Sequence, residues 1–146
     1  MLRGLVAVAA LPLAAACTPG PSLPDPLEEL ARAAESDAAV ARAAVARFPA
    51  LAAQAGAVAT NRAEQAAALR REIDRTATQT APSTTAAPSS APPVPDDQAT
   101  VLTTLVAALD AAQKRAAEVA LTVPSYRAGL VGSVAAGCAS LKEVLS

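Results

Sequence analysis

A stretch rich in proline, serine and threonine, from Ala77 to Asp97, divides this chain into two halves that are built alike. Its repeated prolines are incompatible with a long helix, and it contains too few bulky apolar side chains to pack. On each side of it, two segments with helical periodicity are separated by a single proline, Pro49 or Pro124. The sequence therefore predicts an all-α fold of two helical hairpins joined by a flexible or extended linker, residues 77–96.

The composition limits what such a fold can enclose. Most of the apolar residues are alanine, and the 146 residues include one Phe, one Tyr and no Trp. Alanine buries little area, so we expect a core that is long, thin and helical, and no large aromatic-lined pocket. Strands favour β-branched and aromatic residues, which makes a β architecture unfavourable here.

The first two predicted helices carry apolar stripes at helical spacing. Asp25, Pro26 and Glu28 form a helix start, with Glu28 at the capping-box position. Asp37 falls on or beside the first stripe, where a buried carboxylate would need a partner; a stripe rotated towards Ala38 is the simpler interpretation. The stripes comprise Leu27, Leu30, Ala34, Ala41, Val45 and Phe48, then Leu51, Ala55, Val58, Gln65, Leu69 and Ile73.

The third and fourth helices follow the linker. Asp96 or Asp97 is expected to cap the third helix, and three glycines in the fourth are expected to mark a close approach of another helix. These are Gly129, Gly132 and Gly137. The expected stripes comprise Val101, Leu102, Leu105, Val106, Leu109, Ala116, Val119 and Val123, then Tyr126, Leu130, Val134, Cys138, Leu141 and Leu145.

The linker is long enough to influence the topology. About 20 residues at ~3.1 Å each would cover ~60 Å, whereas a helix of ~26 residues is ~39 Å long. We therefore predict a crossover that runs along the whole bundle and leaves the second and third helices parallel, as in ferritin-like bundles. A surface loop that joins neighbouring helix ends is the alternative.

Residues 1–16 have the features of a secretory leader. Arg3 precedes an apolar segment that is too short to span a bilayer. Small residues then precede Cys17, which resembles the lipobox of bacterial lipoproteins, although Leu13 stands one position further out than usual. The resemblance implies that Cys17 is a lipidated N-terminus, that residues 17–24 form a proline-rich tether, and that the protein lies on the extracytoplasmic face of the membrane. Ordinary secretion is the alternative, with Cys17 free or bonded to Cys138.

The absence of histidine reduces the range of catalytic and metal-binding functions that this chain can have. It removes the commonest general base and metal ligand, and with them Ser–His and Cys–His nucleophile pairs. Basic residues are scattered rather than clustered, which argues against a nucleic-acid partner. Cys138 is expected to be a small buried hydrophobe, because Lys142 is the one basic residue within a helical turn of it. We therefore expect no enzymatic activity, catalytic residue or cofactor.

Two stretches are similar to an uncharacterised ferritin-like domain family of actinobacterial envelope lipoproteins. They are Phe48-Pro49-Ala50-Leu51, leading into residues 61–69, and residues 129–138. The resemblance covers residues 25–146 and implies a ferritin-like four-helix bundle. It supplies no known activity.

The same resemblance draws attention to two amides. Family members often carry histidines on the second and fourth helices; here Asn61 and Gln65 occupy the second-helix positions and Leu141 the fourth. A di-iron site needs Glu and His from several helices, whereas this chain offers Glu64 and Glu118 as carboxylates that could face inward, so we predict no metal site. Asn61 and Gln65 form a candidate polar site, and exposed or partly buried amides without a binding role are the simpler alternative.

These expectations describe a lipid-anchored, non-enzymatic binding or scaffolding module with a protein or small-molecule partner. The alternatives are a degenerate ferritin-like protein with a metal-binding or redox role, and a carrier of a small apolar ligand held between the helices.

Overall fold

The structure, a computed structural model, describes residues 24–77 and 93–146. These two ranges contain four α-helices and no strand: α1 (Pro26–Arg47), α2 (Ala52–Ala77), α3 (Gln98–Ala120) and α4 (Ser125–Val144). A 3-10 helix, Pro49–Leu51, precedes α2. The prediction of an all-α chain with four helices is confirmed. The predicted leader, Cys17, and most of the tether and linker lie outside the described residues.

Polar caps and prolines set the helix ends. The Asp25 carboxylate accepts a hydrogen bond from the Leu27 amide at 2.9 Å, and Asp97 accepts one from the Thr100 amide at 2.9 Å. Each cap replaces a bond that the first turn of a helix cannot make within itself. Pro49 begins the 3-10 turn after α1, because proline cannot donate to the helical ladder.

Neighbouring helices pack in opposite directions. α1 packs against α2 and α3, and α4 packs against α3 and α2. The antiparallel sense follows from contacts that join the start of one helix to the end of its neighbour. These contacts are Arg115–Glu29 at 2.7 Å, Arg47–Asp96 at 2.5 Å, Arg127–Glu72 at 3.1 Å and Gln54–Val144 at 3.4 Å.

One apolar core lies between the four helices, and we call this arrangement the four-helix core. Most of the predicted stripe residues of α1, α2 and α3 are buried in it or packed against it. Ala38 is 1% exposed, so the first stripe includes it, but the Asp37 side chain beside it is only 13% exposed and has the partner that a buried carboxylate needs. Alanine supplies much of α1's buried face, which allows that helix to approach its neighbours closely.

The inward face of α4 differs from the prediction. Tyr126 is 63% exposed, whereas Arg127 and Val131 are buried. The reason is electrostatic: the Arg127 guanidinium turns inward to pair with Asp25 at 2.7 Å and with Glu72 at 3.1 Å. Burying that charge is favourable only because two carboxylates meet it.

Two of the three expected close approaches at glycine are also wrong. A Cβ atom added at Gly129 or Gly132 would meet nothing within 4 Å. At Gly137 the prediction holds, because an added Cβ would overlap the Gln65 amide nitrogen and lie 3.4 Å from Asn61 Oδ1. The missing side chain of Gly137 therefore leaves room for two polar side chains of α2.

Candidate functional site

The largest fully buried side chain of the described residues is a charged one. Arg62, in the middle of α2, is 1% exposed. Its Nε and Nη2 atoms donate to Asp37 Oδ2 of α1 at 3.0 and 2.7 Å. An unpaired charge at this depth would cost several kcal/mol, so Asp37 makes the burial of Arg62 tolerable.

Three further side chains complete the surroundings of this ion pair. Arg62 Nη1 donates to Gln65 Oε1 at 2.6 Å and lies 3.4 Å from the Cys138 sulfur, which accepts from it. Gln65 Nε2 in turn donates to Asn61 Oδ1 at 2.7 Å. We call these five residues the Arg62 cluster; it joins α1, α2 and α4 across the core.

The structure therefore brings the two predicted amides together. Asn61 and Gln65 lie one turn apart on α2, and their hydrogen bond covers Gly137 of α4. Leu141, at the third position that the family resemblance singled out, is buried in the apolar core and contributes no polar group. The amides act within a cluster whose centre, Arg62, was not predicted.

The sequence did carry a signal for Arg62. It lies four residues after Val58 and four before Ala66, in the buried stripe of α2, and its residue type alone suggested an outward position. Asp37 lies as far before the turn at Pro49 as Arg62 lies after it, within a residue. Two opposite charges that interrupt the stripes of both helices of a hairpin, at matching distances from the turn, indicate a buried ion pair.

A cleft connects the cluster with solvent. Its volume is about 340 Å³, and it lies between α1 and α3. Its lining includes the largely buried Asp37 and Arg62. It also includes Glu29 and Arg115, which form an ion pair at 2.7 Å and are both about half-exposed. The other lining residues are small or aliphatic: Leu30, Ala33, Ser36, Ala108, Ala111, Ala112 and Val134.

Burial controls the protonation of the cluster. Loss of solvation raises the pKa of the Asp37 carboxyl above its ordinary 3.8, although the Arg62 guanidinium opposes the shift. Burial likewise raises the pKa of the Cys138 thiol, again against the effect of Arg62. Tertiary packing thus gives Cys138 a second basic neighbour, Arg62, besides Lys142 of its own helix, but the thiol stays protonated at neutral pH and is a poor nucleophile.

The described residues contain no group of three or more His, Cys, Asp or Glu side chains that could hold a metal ion. Glu64 and Glu118, the carboxylates considered at the sequence level, both lie on exposed faces, so the suggestion that they face inward is wrong. The interior near the cleft holds the Arg62 guanidinium paired with the Asp37 carboxylate, and this pair carries no net charge that would attract a cation. The side chains of the Arg62 cluster can make hydrogen bonds and charge pairs.

Comparisons with known proteins identified no relative of this chain. No family model matches the chain, and neither the curated proteins nor the solved structures gave a match. Within the described ranges, no helix combines the length and apolar character needed to span a bilayer.

Proposed function

We propose that this chain is a lipid-anchored, non-enzymatic binding module on the extracytoplasmic face of the cell membrane. The observation that carries the binding role is the cleft that leads to Asp37 and Arg62. A buried ion pair contributes little net stability compared with apolar residues of similar volume. Its presence beside an open cleft, in a core that is otherwise mainly aliphatic, therefore favours a role in recognition.

The geometry of the ion pair favours a particular kind of ligand. Both Arg62 hydrogen bonds to Asp37 go to Oδ2, so Oδ1 is the carboxylate oxygen left to accept from a ligand. The apolar lining, four alanines with Leu30 and Val134, offers methyl groups and no aromatic ring. A small molecule with one hydrogen-bond donor and a compact apolar body matches both features. Such a ligand would agree with two of the predictions made from the sequence, a polar binding site and a small apolar ligand held between the helices.

We also propose the ferritin-like topology with its crossover. Because α1 is antiparallel to both α2 and α3, α2 and α3 run in the same direction, and the end of α2 lies far from the start of α3. A connection between those ends has to travel the length of the four-helix core. The Arg62 guanidinium contacts Gln65 of the candidate polar site, and its positive charge opposes that of a metal ion, which makes the degenerate metal-binding or redox protein less consistent with this site.

The cleft is tested by extracting the protein, purified from its own membranes, with organic solvent and analysing the extract by mass spectrometry. We expect a small molecule to accompany the native protein and an Ala117→Phe control, but not Ala111→Phe, whose ring would fill the cleft. Ala117 is exposed on α3 and does not line the cleft. Recovery of the same molecule from Ala111→Phe, or of none from the native protein, would contradict the binding role. Stoichiometric iron or manganese would favour the metal-binding alternative.

The lipid anchor has a separate test. The intact mass of the protein purified from membranes should equal that of a chain beginning at Cys17 plus diacylglycerol and acyl groups. A Cys17→Ser variant should leave the membrane fraction. A mass without lipid on the native protein would refute the anchor and favour secretion.

A further inference from the structure

The four-helix core has two ends that differ in character. One end, which we call the proximal end, holds the start of α1, the end of α2, the end of α3 and the start of α4. Arg127 marks it by pairing with Asp25 at 2.7 Å and with Glu72 at 3.1 Å. The opposite, distal end holds the Arg47–Asp96 ion pair.

The proximal end carries the two most exposed large apolar side chains of the described residues. Leu121, directly after α3, is 88% exposed, and Tyr126, in the first turn of α4, is 63% exposed. The third such side chain, Val144 at the distal end, is 45% exposed. The Arg75 guanidinium lies 5.4 Å from the centroid of the Tyr126 ring. An exposed leucine at the same end of the core as a tyrosine–arginine pair matches the layers of a membrane interface, in which leucine enters the acyl region and the other two meet the headgroups.

The tether limits how the core can lie on a membrane. Eight peptide units separate Cys17 from Asp25, and fully extended they reach about 26 Å. α1 and α2, with 22 and 26 residues, are about 33 and 39 Å long. If the distal end rested on the membrane, the start of α1 would stand farther from the lipid than the tether can reach. Contact is therefore restricted to the proximal end or to a side of the core.

We propose that the proximal end rests on the lipid bilayer, with Leu121 inserted below the headgroups and Tyr126 and Arg75 at their level. This inference rests on the proposed lipid anchor at Cys17. It adds an orientation: the mouth of the α1–α3 cleft faces along the membrane plane, because the cleft opens at the side of the core.

Single tryptophans test the orientation, since the chain contains none of its own. Lipidated protein is purified with Leu121→Trp, with Ala67→Trp on the exposed side of α2, or with Ala50→Trp at the distal end. Each is reconstituted into vesicles of phosphatidylcholine brominated on its acyl chains, with a minor fraction of phosphatidylglycerol. We expect Leu121→Trp emission to be quenched at least about two-fold relative to unbrominated vesicles, and the other two to change little.

The outcomes separate this inference from the anchor. Equal quenching at all three positions, or stronger quenching at Ala67→Trp or Ala50→Trp, would overturn the proximal orientation while the acyl mass on Cys17 still supported the anchor. A native mass without lipid, with no variant floating with the vesicles, would refute both. As a second measurement, Tyr126→Trp should be quenched less when Leu121→Glu is added, because a carboxylate resists insertion; unchanged quenching would count against the role of Leu121.

Discussion

At the scale of single residues, the buried ion pairs of this protein lie where charged side chains interrupt the apolar stripes of the helices. Arg62 and Arg127 are both buried and both paired with carboxylates contributed by other helices. Each pair fixes the rotation of its helix, because turning the helix away would separate a charge from its partner while it remained desolvated. Each of the two arginines joins three helices: Arg62 of α2 contacts α1 and α4, and Arg127 of α4 contacts the start of α1 and α2.

The cost of breaking the Arg62 pair can be measured. Arg62→Met should lower the free energy of unfolding by about 3–5 kcal/mol, because it leaves Asp37 charged and unpaired in a poorly solvated position. Replacing both residues, with Arg62→Met and Asp37→Leu together, should recover most of that loss. Urea unfolding followed by circular dichroism gives both values. As a control, Arg71→Met, at an exposed position of the same helix, should change the free energy of unfolding by no more than about 0.5 kcal/mol. If the double variant lost as much stability as Arg62→Met alone, Asp37 would not be the partner that matters.

Two aspartates should titrate on opposite sides of the ordinary value. Burial raises the pKa of Asp37 above 3.8, whereas Lys114 and then Lys142 lower the pKa of Asp110 to about 2. Because the pKa of Asp37 is higher in the folded state, its protonation favours the folded state as the pH falls through that pKa. Asp110 has the opposite effect: the stability that it contributes is present above pH 3.8 and is lost as the pH falls towards 2. Carboxyl carbon shifts in an NMR titration report both midpoints. An Asp37 midpoint below 3.8 would mean that its ion pair outweighs its desolvation.

At the scale of helices, small side chains decide how closely the elements approach. α4 has three glycines in its interior, each of which weakens an isolated helix. The structure gives a tertiary reason for Gly137 alone, where the Asn61–Gln65 hydrogen bond lies against the backbone of α4. Nothing in the structure explains Gly129 or Gly132.

Alanine substitutions should separate these glycines. Gly132→Ala should raise the free energy of unfolding by about 0.5–1 kcal/mol, since the added methyl group meets nothing and the helix gains stability. Gly137→Ala should lower it, because the methyl group displaces the Gln65 amide from its hydrogen bonds. Thermal or urea unfolding provides the comparison. In a Gln65→Ala background Gly137→Ala should become stabilising, and a persistent loss there would place the obstruction elsewhere.

At the scale of the whole molecule, the directions of the helices determine which connections are possible. α2 and α3 run the same way, so the end of α2 and the start of α3 lie at opposite ends of the four-helix core. The proposed membrane orientation uses the same geometry, because it places α1's start and α2's end beside the bilayer. Connection length is therefore a direct test of topology.

Deletions in the linker should show a sharp length threshold. Removing residues 81–92 leaves a connection that reaches about 30 Å, shorter than the ~39 Å of α2, and should prevent native folding. Removing residues 84–88 leaves about 50 Å and should be tolerated. Helical content and cooperative unfolding report the result. Native stability in the longer deletion would show that a short loop joins neighbouring helix ends, as in the alternative topology.

The sequence by itself determined the number of helices, their boundaries to within a few residues and most of the buried stripes. These features depend on local signals: prolines, caps and the 3.6-residue period of apolar side chains. It also drew attention to Asn61 and Gln65, yet it did not identify Arg62 or Arg127 as buried, and it turned Tyr126 inward. Only tertiary packing decided those positions. A charged side chain can be buried when a carboxylate from another helix meets it, and that meeting depends on distances between helices that no local pattern contains.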